Sequence, residues 1–90
     1  MEYVVERYLP GLSERELRVA LAELEAAAAQ LRREGVDVCY LGSTVFPGDD
    51  ACFCSFEASS LEAVAQANER AAMPFARILE TLRLPARASG

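Results

Sequence analysis

The sequence predicts an α+β protein of the ferredoxin-like kind, a four-stranded antiparallel sheet carrying two helices on one face. Three observations predict it. Runs rich in Val, Tyr, Cys and Phe alternate with runs of helical periodicity in the order βαββαβ. Ser-led capping sequences open both helical runs. Pro10-Gly11, Pro47-Gly48, Pro74 and Pro85 stand at the joints. Two right-handed βαβ crossovers fold this order into a sheet of spatial order 4-1-3-2.

Each element has its own reason. Glu2 to Leu9 is Val- and Tyr-rich and is broken by Pro10-Gly11, which makes it the first strand. Ser13 and Glu16 form a capping box, and Leu17, Leu21, Leu24, Ala28 and Leu31 follow as one apolar stripe. Gly35 then stands where a left-handed helix end is wanted, so the first helix runs from about Glu14 to Glu34. Val36 to Phe46 and Ala51 to Glu57, joined by Pro47-Gly48-Asp49-Asp50, read as a β-hairpin. Ser59 and Glu62 suggest a second capping box, and Leu61, Val64, Ala65, Asn68 and Ala72 give a shorter, weaker stripe before Pro74. Ile78 to Leu84 is the fourth strand, closed by Pro85. The domain therefore spans 1–85, and 86–90 reads as a frayed tail.

Ninety residues allow one domain. The apolar fraction is 52%, but sixteen of those residues are Ala, so the core is thin and a dimer partner would supply part of what is missing. All nine positive charges are Arg, and the chain has no His, Lys or Trp. That excludes Ser-His and Cys-His catalysis, a Lys Schiff base and any imidazole metal site. A net charge of −5 opposes nucleic-acid binding. No apolar run reaches the ~20 residues of a membrane span, and the first residues do not read as a signal peptide. The expectation is a cytoplasmic protein whose three Cys are free thiols.

Neither central strand alternates cleanly. Val4 and Tyr8 oppose Tyr3, Val5 and Leu9 in the first strand, and Phe53 opposes Cys52, Cys54 and Phe56 in the third. Two helices cover one face, so the other is expected to meet a second subunit or a ligand.

Val4-Val5-Glu6-Arg7 before Pro10, Asp49-Asp50 before Cys54-Ser55-Phe56-Glu57-Ala58, and Ala67-Asn68-Glu69-Arg70-Ala71-Ala72-Met73-Pro74 before Arg77-Ile78 stand in an order with a parallel elsewhere. The chain resembles, over nearly its whole length, a family of small bacterial nickel-binding-like proteins, a domain of unknown function. The resemblance implies a ferredoxin-like dimeric alpha-beta barrel, a homodimer built through sheet faces, and nickel binding. In that pattern a His stands at the place of Asn68 and others near Tyr40 to Gly42, and this chain has none. Cys54 matches a family position and Cys52 is an addition. The metal these residues leave room for is a soft transition metal at sulfur, rather than nickel at nitrogen.

Cys52 and Cys54 lie two apart on a strand, on one face, with sulfurs expected about 7 Å apart, long for a disulfide. They read either as metal ligands or as small buried hydrophobes. The face taken by Cys39 depends on the hairpin register. Glu6 and Arg7 point to opposite faces, so at least one enters buried territory. A desolvated Glu6 carboxylate is suited to acid or base work, with Tyr40 as its partner in catalysis, unless it pairs with Arg77 or Arg83. Tyr8, Tyr40 and Glu80 are candidates to complete a polar ligand-binding cavity with Glu6, and Asn68 interrupts the apolar stripe of the second helix.

Beside a purely structural or interaction role, two functions follow. One is a small dimeric ligand- or metal-binding protein with a cavity between sheet faces. The other is a cofactor-independent enzyme of isomerase, cyclase or oxygenase type, acting on a small molecule in natural-product or stress metabolism.

Overall fold

A computed structural model describes residues 1–87; of the expected tail, 88–90 lie outside the described residues. The elements run β1 (Glu2–Tyr8), α1 (Glu14–Arg33), β2 (Val38–Phe46), a short 3-10 turn (Pro47–Asp49), β3 (Ala51–Ala58), α2 (Leu61–Arg70) and β4 (Arg77–Thr81). The strands form one antiparallel sheet in the order β2-β3-β1-β4, the expected ferredoxin-like arrangement. β4 is a strand, as expected, but it stops at Thr81 rather than Leu84.

Helix α1 begins as its sequence dictates. Ser13 Oγ accepts from the Glu16 N–H at 3.1 Å while Glu16 accepts from the Ser13 N–H at 3.0 Å. It ends at Gly35, whose φ of +95° lets the Val36 N–H return to the Leu31 carbonyl. Leu24, Ala28 and Leu31 of the stripe are buried, each large side chain contributing roughly 1.5–3 kcal/mol. Leu17 and Leu21 are only half-buried, because the first half of α1 overhangs the end of the hairpin and leaves a cleft beneath it.

The start of α2 corrects the sequence reading. Ser60, not Ser59, is the N-cap and accepts from the Ala63 N–H at 3.2 Å. The Ser59 N–H is tied to the Asp37 carbonyl, so the helix starts one residue later and Glu62 sits too early to close a capping box. At its far end Ala72 takes the left-handed position, φ +55°, and the Met73 N–H reaches back to the Asn68 carbonyl at 3.0 Å.

Strand register fixes the faces. Tyr3, Val5 and Arg7 of β1 point with Cys52, Cys54 and Phe56 of β3 into the layer beneath the helices, where Ala63, Val64 and Ala67 of α2 meet them. Glu2, Val4, Glu6 and Tyr8 share the helix-free face with Phe53, Ser55, Leu79 and Thr81. Cys39 stands opposite Glu57 and so also lies on that face. β2 contains a β-bulge between Tyr40 and Gly42 in which Leu41 is the extra residue, and Gly42 adopts φ +136°. The bulge shifts the alternation, so Tyr40 and Ser43, three apart, point the same way.

Candidate functional site

Arg7, at the centre of the sheet, is wholly buried on the helix side. Its Nη2 donates to the Asn68 side-chain oxygen, and its Nη1 reaches the Pro74 carbonyl at 3.4 Å. Both partners are neutral, and among the described residues Arg7 Nε has no partner. Asn68 is held in turn by its Nδ2, which donates to the Val64 carbonyl at 2.8 Å. The conspicuous Asn in the α2 stripe is thus the buried partner of a buried guanidinium.

Beside Arg7 lie Cys54 and Cys52, both buried. Their sulfurs are 3.8 Å apart, not the 7 Å expected from the strand repeat. The side chains lean toward each other, and a backbone repeat says nothing about that tilt. Ser43 Oγ donates to Cys54 Sγ at 3.0 Å, and the Tyr40 hydroxyl meets Ser43 Oγ at 2.5 Å. With Ser43 committed as donor to sulfur, Tyr40 is the donor to Ser43, and a chain of hydroxyls ends on Cys54. Tyr40 is seated by a tilted contact with Phe56, ring centres 5.5 Å apart.

This arrangement favours one thiolate. The hydrogen bond from Cys52 is the largest influence drawing Cys54 down to about 6, and the Ser43 hydroxyl and the Arg7 charge help against the opposing effect of burial. The same hydrogen bond, together with burial, pushes Cys52 up. Burial also raises Tyr40, which stays a neutral donor.

The cleft under the first half of α1 has a volume of about 480 Å³ and an aliphatic lining that includes Leu9, Leu12, Leu17, Leu21 and Val45. Cys52 and Ser43 also line it, so the sulfur cluster has a way in. A shallower hollow of about 320 Å³ lies over the bulge, lined by Glu2, Gly42, Thr44, Ser55 and Arg83 among others.

The residues singled out in the sequence divide between two faces. Asn68, Cys52 and Cys54 belong to one buried cluster, with the half-buried Tyr40 at its margin. Glu6 and Tyr8 lie on the opposite face, where Glu6 is paired with Arg77, and Tyr8 is exposed. Glu6 and Tyr40 are therefore not brought together as an acid and base. Glu80 stands opposite Tyr3 on the edge strand, exposed. Arg7 and Ser43 are the members that reading the sequence missed. The alternation of Tyr3, Val5 and Arg7 was the available sign for Arg7, and the Gly inside β2 was the sign for the bulge that delivers Ser43.

The fold and the cluster define a class: a small ferredoxin-like α+β protein with a buried thiol pair set against a guanidinium. Residues 3–81 match the family described as nickel responsive protein SCO4226-like, and the chain belongs to it. Its fold is similar to that in the crystal structure of SCO4226 from Streptomyces coelicolor A3(2), with a TM-score of 0.77 and 21% sequence identity over 96% of this chain and 100% of that one. No curated protein matches the chain. Among the described residues no helix is long and apolar enough to cross a membrane.

Proposed function

We propose that the protein is a metal-binding member of its family that holds a soft transition-metal ion between Cys52 and Cys54, and that it works as a homodimer. The observation that carries the metal reading is the 3.8 Å separation of the two buried sulfurs at the edge of a cleft. Thiolates are the donors soft ions select, and metal–sulfur bonds of about 2.3 Å close comfortably over such a gap. Nickel does not fit these residues. The chain has no His, and among the described residues no three or more Cys, Asp or Glu gather into a ligand group.

The helix-free face supports the dimer. Tyr8, Phe46 and Leu79 are exposed there at 59%, 41% and 39%, around the half-buried Val4 and Phe53. A second copy laid on this face removes that apolar surface from water and encloses the hollow over the bulge.

The metal reading is tested on protein purified without a metal-affinity tag, titrated anaerobically with Cu(I) and with Cd(II) against competing chelators. The expected result is one ion per chain, with binding abolished in Cys52→Ser and in Cys54→Ser. Binding that survives both substitutions, or no binding of either ion, overturns it.

A further inference from the structure

We infer that the Cys52–Cys54 site takes a single monovalent soft ion of the copper(I) kind, and that Arg7 is the residue that selects it over divalent ions. This rests on the metal reading above and adds the charge and coordination of the ion. The first observation is that Arg7 is a buried cation without a carboxylate. Asn68 and Pro74 offer it neutral oxygens, the Cys54 sulfur lies beside it, its Nε has no partner among the described residues, and the adjacent Glu6 faces the other way, engaged with Arg77. A buried cation needs negative charge beside it, so what binds beside Arg7 is chosen partly by charge.

The balance selects the ion. The thiol proton that remains leaves to solvent as the ion arrives, so the site then holds two negative sulfurs. A monovalent ion between them makes a complex of charge −1, which Arg7 cancels. A divalent ion makes a neutral complex and leaves the Arg7 charge uncompensated in the core.

Coordination number points the same way. The cluster offers two sulfurs, and the other groups at hand are the Ser43 and Tyr40 hydroxyls, hard donors already bonded to each other. Zinc-like divalent ions want four ligands, while a closed-shell monovalent ion is content with two thiolates. At bonds of about 2.3 Å, a straight sulfur–ion–sulfur arrangement needs the sulfurs to part by less than about 1 Å. Cys52 borders the cleft and has room to do so.

The test compares Cu(I) and Cd(II) affinities, by anaerobic competition, in the wild type, Arg7→Met and Asn68→Asp. Asn68→Asp keeps Arg7 in place and gives it a carboxylate, so it guards against simple loss of the fold, which circular dichroism monitors. Both variants are expected to lower the ratio of Cu(I) to Cd(II) affinity by about 10–100-fold, the usual size of an effect transmitted from outside the ligands. An unchanged ratio in a folded Asn68→Asp variant overturns the role of Arg7 while leaving the metal reading intact. Failure of the wild type to bind either ion overturns the metal reading and this inference with it.

Discussion

Arg7 donates a hydrogen bond to the side-chain oxygen of Asn68, tying a central strand of the sheet to the last turns of helix α2 across the core. Both ends of the Asn68 amide are engaged, so the contact has one orientation. Asn68→Ala is therefore expected to destabilise the protein by about 2–4 kcal/mol, since it strips a partner from a buried cation. Asn68→Asp should cost much less, because it returns an acceptor to the guanidinium. Urea unfolding of the two variants checks the difference; equal costs would place the loss on the donation to the Val64 carbonyl, which both variants lack, rather than on the bond to Arg7.

Cys54 gives stability a pH dependence of definite sign. Held near 6 in the folded protein and near the ordinary thiol value of about 8.5 when unfolded, it makes the unfolded chain bind more protons between those values. Stability relative to Cys54→Ala should rise with pH across that window and fade as pH drops toward 6. Above about 8.5 the raised Cys52 reverses the slope. The ultraviolet absorbance of thiolate should show one early step, absent in Cys54→Ser and moved to higher pH in Arg7→Met. A step that ignores Arg7→Met contradicts the part assigned to the Arg7 charge, the Cys52 hydrogen bond being the larger cause.

Ala72 sits in the left-handed region, where a Cβ costs roughly 1–2 kcal/mol, partly offset against Gly by chain entropy. Ala72→Gly should stabilise the protein by about 0.5–1 kcal/mol. Gly35→Ala, at the matching end of α1, should destabilise it by about 1 kcal/mol. Thermal melts of the pair decide this, and the same sign for both would be inconsistent with the helix ends described.

The homodimer predicts a melting temperature that rises with protein concentration. Leu79→Arg, on the helix-free face, should lower the mass seen by light scattering to that of one chain without unfolding it. A wild-type mass of 9.8 kDa at micromolar concentration would exclude the dimer.

The fold was legible because its cues are local. The Ser13–Glu16 box, the Leu24-Ala28-Leu31 stripe and Gly35 each act within one helix, and Pro10-Gly11 and Pro47-Gly48 mark the turns they imply. The second cap was misplaced by one residue because the hydrogen bond that decides it, from Ser59 to Asp37, is long-range. The site was half legible. Cys52, Cys54, Tyr40 and Asn68 are conspicuous as residue types, whereas Ser43 reaches them only through a bulge, and Arg7 only through a buried partner 61 residues away. Glu6 drew attention as the anomalous charge of the first strand, but its neighbour is the one sealed in the core.

The sheet order β2-β3-β1-β4 also bears on how the chain is assembled during synthesis. β1 is the earliest strand made and one of the two central ones, yet both strands that flank it, β3 and β4, come later. Its pairings close long loops, which slows their formation. Arg7 therefore remains hydrated until the second half of the protein exists. Only when the hairpin and α2 dock is the guanidinium sealed beneath them, so the charge is buried in the same step that brings Cys52 and Cys54 alongside it.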